Sequence, residues 1–347
     1  MIRRGDPAAR AGIRRTAKKG KSFYTYKAAA FLLTLMLGEY GIAQVVDNTS
    51  SFTNSGGQKY FRLHYDNDFF TRTDEYYTQG ITLEVVHPAL ERFLFSRLLI
   101  KPKQSEIRYG IRMDHFGYTP TNIRSHEILY GDRPFCGNLT LTTFLVATDS
   151  GRQRRISTAF IMGIMGQGAW GKEMQTGVHR LMKKVQPSGW EYQIQNDMII
   201  DYRVSYEKKL WGYHNGLLVN SAAELRLGTH TDKLTGGLNF MAGNYNDPYQ
   251  PAVPSKQGRK KIVYYLYGQI LAGFTGYEAS LEGGLFNHKS PYTISSENMT
   301  RVTLQGDYGV VISFRKIYLA YCQSVLTKEF RTGHLHRWGG FRIGVGL

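Results

Sequence analysis

The sequence predicts a closed antiparallel transmembrane β-barrel of about 12 strands, with one short helix in an extracellular loop. Segments of about ten residues alternate between apolar and polar positions, as lipid-facing and lumen-facing residues do in membrane barrels. The chain is rich in Gly (38 residues) and in aromatic side chains (13%), and it has few Pro (10 residues). No apolar run reaches the 18 or so residues with which a helix crosses a bilayer. Together these features are typical of an all-β chain.

The alternation is clearest in 107–114, 198–207 and 301–314. In each segment one set of alternate residues is apolar or aromatic, and the other set is polar and charged. A period of two places the two sets on opposite faces of a strand. Because a Lys or Arg facing the bilayer midplane costs about 2–4 kcal/mol, we expect the charged face to line the lumen. A secreted sandwich or lectin also alternates, and it remains the alternative fold.

We predict twelve strands, and an even count closes a barrel with both termini on the periplasmic side. Closure also removes the exposed edges that an open sheet would present. The predicted strands are 58–68, 77–88, 105–115, 140–149, 155–166, 196–208, 217–228, 233–243, 261–278, 300–314, 316–326 and 337–347.

The first 43 residues are predicted to be a signal peptide with a basic leader. They contain nine Lys or Arg and two acids, and small residues follow the apolar run at 28–37. This order is that of a secretory signal, and we expect cleavage after Ala43. A mitochondrial transit peptide is the alternative. We therefore predict a barrel over 58–347, preceded by a flexible lead-in at 44–57 that is rich in Ser, Asn, Thr and Gly.

The formal charge of +17 suits either nucleic acid or anionic lipid head groups. No helix-turn-helix, RNP-type or zinc-finger pattern occurs, so we expect no nucleic-acid partner. Cys136 and Cys322 lack CxxC spacing and give no indication of zinc or redox chemistry, and a disulfide between them is left open. The sequence has no GxSxG, HExxH, Walker or GxGxxG pattern, so it does not support a serine triad or a phosphate-cradling loop.

The segment 169–184 departs from the strand pattern. Its apolar residues fall at helical spacing, and Gly and Pro flank it. If the first strand starts in the periplasm, the fifth ends outside the cell, and the helix belongs to an extracellular loop. His179 lies on this helix, one turn after Gln175. A neutral imidazole can take a proton from water, although an ordinary surface histidine is the alternative.

The end of the first predicted strand carries several oxygen-bearing side chains. Asp66, Asn67 and Asp68 are adjacent, and Thr73 and Asp74 follow after a short turn. Such oxygens suit a hard cation such as Ca²⁺, and the alternative is a solvated hairpin turn. If the strand stays regular, Asn67 faces the lipid side and Asp68 faces the lumen.

Four ordered motifs, each weak alone, together resemble one family, the outer-membrane lipid A 3-O-deacylases, over about residues 58–347. The motifs are Asn67 to Phe70 with Thr73, Asp74 and Tyr77 to Gly80; Gly131 to Phe135; Gly163 to Gly166 with Glu173, Gln175, His179, Gly189, Trp190, Gln193, Asn196 and Asp197; and Thr327 to Gly333.

The resemblance implies a twelve-stranded barrel in the bacterial outer membrane, with an active site between the barrel wall and the helix. It implies Ca²⁺-dependent hydrolysis of the ester that holds the 3′-linked acyl (acyloxyacyl) group of lipid A. His179 would be the base, Asn67 and Asp68 would be catalytic and would hold the metal, and Thr78 would be a further catalytic residue. Lipopolysaccharide and the outer membrane are the implied partners, and we expect a monomer.

Three residues are candidates for substrate binding. Gln175 precedes the histidine on the helix, and Arg124 and Arg133 suit the phosphates of lipid A, although they are equally read as loop or lumen charges. One departure from the family is that an acidic residue, which some members carry six positions after the histidine, is Val185 here. Two other functions stay open: a non-enzymatic porin or adhesin, and an outer-membrane phospholipase, which normally needs an activated Ser for which no pattern is present.

Overall fold

The computed structural model describes residues 48–53, 57–71, 75–213, 216–250 and 260–347. The predicted signal peptide lies outside the described residues. Thr73 and Asp74, predicted as further oxygen donors, also lie outside them.

Twelve antiparallel strands close into a barrel, so the predicted fold class and strand count are confirmed. The barrel closes where the first strand pairs with the last, with Tyr60 opposite Gly346. The strands are β1 Tyr60–Asn67, β2 Tyr76–Val86, β3 Glu106–Thr119, β4 Cys136–Asp149, β5 Arg154–Met165, β6 Asp197–Tyr213, β7 Leu217–Gly228, β8 Thr231–Asn244, β9 Ile262–Glu278, β10 Val302–Phe314, β11 Ile317–Leu326 and β12 His336–Gly346.

Helical segments occur between strands. The longest is α1, Gly171–Leu181, and a single turn, α2, spans Ala279–Glu282. None of the helices in the described ranges is long and apolar enough to cross a membrane. Short 3₁₀ segments are Ser51–Thr53, Asp68–Thr71, Pro88–Arg92, Leu94–Leu98, Gln167–Ala169, Trp190–Tyr192 and Ser296–Asn298.

The alternation along the strands separates an apolar outer wall from a polar lumen. On β6, Met198 and Ile200 are exposed on the outside, whereas Asp201 and Arg203 are buried inside the barrel. The same holds on β10, where Leu304 is exposed and Asp307 is buried. The predicted orientation of the two faces is therefore confirmed, and the charges point inward where polar partners surround them.

Some strands are longer than predicted. β3 extends beyond the predicted 105–115, and β4 starts before the predicted 140–149. The added residues pair with each other, His115 with Leu139 and Tyr118 with Cys136. Backbone pairing therefore continues where side-chain alternation becomes irregular. Cys136 and Cys322, whose pairing the sequence left open, are both buried and form no disulfide.

The predicted flexible lead-in, 44–57, differs from the structure over its described part, Asn48–Thr53. This segment, which we call the plug, is packed inside the lumen, and its Ser51 and Phe52 are fully buried. The Phe52 ring stacks on Tyr267 with ring centroids 4.5 Å apart. The plug has the Ser-, Asn- and Thr-rich composition of a flexible linker. Such residues suit the lumen because the side chains around them are also polar.

Lumen side chains hold the plug through its backbone. Arg62 donates to the carbonyl oxygens of Thr53 (2.7 Å) and Asn48 (2.9 Å), and it is paired with Glu84 at 2.6 Å. Glu207 accepts from the Ser51 amide at 2.9 Å. A buried Arg and a buried Glu are thus satisfied partly by main-chain groups of the plug, as buried charges must be.

We expect Phe52→Ala to unseat the plug while the barrel stays folded. Removing a buried Phe costs about 3–5 kcal/mol, which corresponds to exchange of the plug amides roughly a hundredfold faster or more. Hydrogen–deuterium exchange of residues 48–53 measures this. Phe314→Ala, which truncates an exposed ring on the outer wall, is the control. Unchanged exchange in Phe52→Ala would show that the stacking does not hold the plug.

Candidate active site

The candidate site lies on the outer wall of the barrel, at the end opposite to the start of β1 and the end of β12. α1 connects β5 to β6 and packs against the start of β4 through two glycines. A Cβ on Gly171 would lie 2.9 Å from the Gly137 Cα and 2.7 Å from the Trp190 ring. Only glycine permits so close an approach of helix to strand, and this fixes where the helix begins.

The helix is shorter than the predicted 169–184. A 3₁₀ turn precedes it, and Trp170 at its start has φ of 57°, in the left-handed region. Lys183, just beyond its end, has φ of 54°. Within the helix, Gln175 and His179 are buried. Residues four apart share a helix face, so both lie on the side turned to the barrel wall.

A chain of side-chain hydrogen bonds ties this helix face to β2. Trp190 donates from Nε1 to Gln175 Oε1 at 2.8 Å. Gln175 in turn donates from Nε2 to Thr78 Oγ1 at 2.9 Å. Gln175, predicted to bind substrate, is therefore occupied as a bridge between the two. Trp190 belongs to one of the motifs but had no predicted role. The spacing of residues in the sequence does not show that its indole N–H bonds to Gln175.

Asn67 meets the same point of β2. Its Nδ2 donates to the backbone carbonyl of Thr78, and its Oδ1 accepts from the Phe69 amide at 2.9 Å. Asn67 follows Tyr65 on the outward face, as predicted. The structure thus brings together Asn67, Thr78 and Gln175, three of the predicted site residues.

Asp68 follows directly but does not continue the strand. β1 ends at Asn67 and a 3₁₀ turn begins, so the expectation that Asp68 would line the lumen with Arg62 and His64 does not apply. The carboxylate is buried and accepts from the Glu75 amide at 2.7 Å. The turn around it is held against the helix segment, since Lys184 lies over the Phe69 ring at 5.4 Å from its centroid.

Along the chain, His179 lies between Gln175, which bonds to Thr78, and Lys184, which lies over the Phe69 ring. Its Nδ1 is 2.6 Å from the backbone carbonyl oxygen of Val185. A carbonyl can only accept, so this contact requires the proton on Nδ1 and leaves the lone pair of the neutral ring on Nε2. Val185 stands where some relatives of the resembled family carry an acid, and its backbone supplies an orienting acceptor that its side chain lacks.

The described oxygen donors that the sequence suggested for a cation do not all lie together. Asp66 points into the lumen, where it accepts from the Tyr77 hydroxyl at 2.8 Å, so it is separated from its neighbours. The described ranges contain no cluster of three or more His, Cys, Asp or Glu suited to a metal. Asn67 and Asp68 remain as adjacent amide and carboxylate oxygens, the donor type that Ca²⁺ prefers. They would supply part of the about six to eight oxygens that surround Ca²⁺.

The two predicted arginines have different surroundings. Arg124 is exposed in the loop between β3 and β4. Arg133 is buried, paired with Glu329 and bonded to Ser280 at 3.0 Å, and its guanidinium lies 3.8 Å from the centroid of the Tyr118 ring. Its charge is already neutralised inside the protein, so this placement gives no support to the prediction that Arg133 meets a phosphate.

Comparison with known proteins gives a family and a fold. The family model described as "Outer membrane protein LpxR" matches residues 29–347. No curated protein sequence is similar enough to the chain to count as a match.

Among solved structures, LpxR from Salmonella typhimurium superposes with a TM-score of 0.67 at 17% identity, covering 83% of this chain and 100% of that one. The β domain of the Bordetella autotransporter BrkA gives a TM-score of 0.40 at 8% identity, with coverage of 83% and 97%. LpxR from Salmonella typhimurium therefore shares its barrel fold with this chain.

Proposed function

This chain belongs to the LpxR family of outer membrane proteins, and from that premise we propose that it is a lipid A 3-O-deacylase. The proposed reaction is hydrolysis of the ester that holds the 3′-linked acyl (acyloxyacyl) group, in the outer leaflet. The observation that carries the proposal is the orientation of His179. Its Nδ1 donates to the Val185 carbonyl, which leaves the lone pair on Nε2, and the helix that carries it is bonded to Thr78 through Gln175.

In the proposed reaction, His179 Nε2 removes a proton from water. The resulting hydroxide adds to the acyl carbon, and the ester bond to the sugar oxygen then breaks. The proton held on Nε2 passes to that oxygen, so the products are a free fatty acid and a lipid A hydroxyl. General base catalysis of this kind contributes typically 10²–10⁴-fold. The Val185 carbonyl accepts from Nδ1 and so holds the ring in one orientation during this transfer.

Asn67 and Asp68 are the proposed holders of Ca²⁺. A bound divalent cation would offset the negative charge that develops on the acyl oxygen. Burial of Asp68 at the end of β1, with its carboxylate fixed by the Glu75 amide, keeps the carboxylate in one position. The bridge from Trp190 through Gln175 keeps the Thr78 hydroxyl in place at the same corner.

The surroundings suit a lipid substrate. Leu181, Met182 and Val185 are exposed apolar residues at and just beyond the end of the helix. The acyl chains would lie against this surface. Lys184, held over Phe69, and exposed Arg124 are the proposed phosphate contacts, since fixed cations suit such anions.

The test is the mass of lipid A after incubation with wild-type membranes, with Ca²⁺ or with a chelator. We expect the acyloxyacyl group to be lost with Ca²⁺ and retained with chelator. Phospholipid in the same reaction tests the phospholipase alternative. Release of fatty acid from phospholipid, with lipid A unchanged, would overturn the proposal. The plug inside the lumen weighs against the porin alternative, because it occupies the path that ions would take.

A further inference from the structure

The loop between β2 and β3, residues 88–105, has an unusual position. We call it the flap. It begins and ends at the barrel end where β1 starts and β12 ends, since Val86 pairs with Tyr60 and the Leu347 amide bonds to the Lys59 carbonyl. The flap is therefore at the opposite end of the barrel from α1 and the candidate active site.

The flap turns back along the outside of the barrel. The Tyr202 hydroxyl, which faces outward from β6, donates to the Leu98 carbonyl (3.1 Å) and accepts from the Ile100 amide (3.0 Å). The ring of Phe95 lies 5.5 Å from that of Phe160 on β5. Leu99 is buried in a cluster formed with outward residues of β3 and β4. The flap thus covers wall that would otherwise contact lipid.

Its outer surface combines apolar residues with cations. Leu94, Leu98 and Ile100 are 65%, 52% and 58% exposed. This exposed apolar surface is continuous with the outer wall, so the same hydrocarbon would cover both. A segment with Leu and Ile on its outer face and Arg and Lys among them is the pattern of a helix or turn that lies in the membrane interface.

Three of the four cations of the flap have no side-chain partner among the described residues. Arg92, Arg97 and Lys103 are exposed, and no described residue forms an ion pair or hydrogen bond with their side chains. Lys101 is the exception, 3.5 Å from Glu91. Long basic side chains beside exposed leucines extend toward head groups, where phosphate can pair with them.

We propose that the flap is a binding site for anionic glycerophospholipid in the leaflet nearest the start of β1 and the end of β12. The choice of phospholipid over lipopolysaccharide rests on the proposed function, which puts lipid A at the opposite end of the barrel. The binding itself rests on the family assignment as an outer membrane barrel, so phospholipid retention and lipid A cleavage can fail separately. The apolar residues hold the acyl chains, and the three unpaired cations hold the phosphate groups.

The test is lipid retention by the purified full-length protein in micelles with equal phosphatidylglycerol and phosphatidylethanolamine, counted by native mass spectrometry. We expect wild type to retain phosphatidylglycerol preferentially, by about fivefold for each engaged cation. The triple variant Arg92→Gln, Arg97→Gln, Lys103→Gln should lose this preference. A control with three exposed cations of the same barrel end changed, Lys208→Gln, Lys261→Gln, Lys316→Gln, should keep it.

Three outcomes would overturn the proposal. They are equal retention of the two phospholipids by wild type, an unchanged preference in the flap variant, and a stable dimer whose contact covers the flap. Lipid A cleavage measured on the same variants reports separately on the hydrolase. Loss of the phosphatidylglycerol preference with lipid A cleavage intact is the result we expect.

Discussion

His179→Ala is expected to abolish loss of the 3′-linked acyl group from lipid A while leaving the barrel folded. The imidazole makes one hydrogen bond to the described part of the chain, from Nδ1 to the Val185 carbonyl, so its removal leaves no buried charge. Loss of a general base lowers the rate by about 10²–10⁴-fold. The measurement is the mass of lipid A over time, at matched amounts of folded protein judged by heat-modifiable mobility on gels.

A second substitution separates catalysis from positioning. His179→Gln can still donate to the Val185 carbonyl but offers no basic nitrogen, so it should be as inactive as His179→Ala. Lys172→Ala, on the exposed face of the same helix, is the matched control and should keep wild-type activity. Substantial activity in His179→Gln would mean that the histidine positions another group and is not the base.

The fold follows from the sequence because the barrel repeats one local rule. The period of two along β6 and β10 turns Asp201, Arg203 and Asp307 inward, and this pattern can be counted from residues alone. The helix was also predictable, since its apolar spacing differs from that of a strand. The exact first and last residues of the helix were not predictable. Left-handed backbone at Trp170 and Lys183 bounds the helix on its two sides, and no periodic pattern marks such residues.

The site was predictable only as a set of residues. The ordered motifs that include Asn67, Thr78, Gln175 and His179 identified them, and the structure brings Asn67, Thr78 and Gln175 into one hydrogen-bonded corner. Their roles depend on partners far away in the chain. A backbone carbonyl serving His179 has no sequence signature.

The buried pair of Arg133 and Glu329 shows the same limit most clearly. Arg133 was predicted to bind a lipid A phosphate on its charge and its position in the sequence, with a loop or lumen charge as the alternative. Two motifs that are far apart in the sequence meet here, since Thr332 also donates to the Gly131 carbonyl. Position along the chain could not show that the guanidinium is fully buried by its own partners.

Arg133→Met is therefore expected to destabilise the barrel by about 3–5 kcal/mol, the usual cost of leaving one partner of a buried ion pair alone. Burial by itself opposes ionisation of Glu329, but the Arg133 charge and hydrogen bond, together with smaller contributions from His336 and Lys233, outweigh it and hold the pKa of that carboxyl below its usual range. A lowered pKa means that the stabilisation is fully present above the ordinary Glu pKa, near about 4.3, and is lost as the pH falls through the lower folded value.

Urea unfolding at neutral and acidic pH measures both effects. Wild type should lose stability on acidification, and Arg133→Met should lose less, because its carboxyl no longer has a cation to pair with. The double variant Arg133→Met, Glu329→Leu removes the unpaired carboxylate and should recover part of the loss. If Arg133→Met instead kept full stability and weakened only the binding of lipid A, the guanidinium would be a phosphate ligand, and the buried pair would not be what holds this end of the barrel.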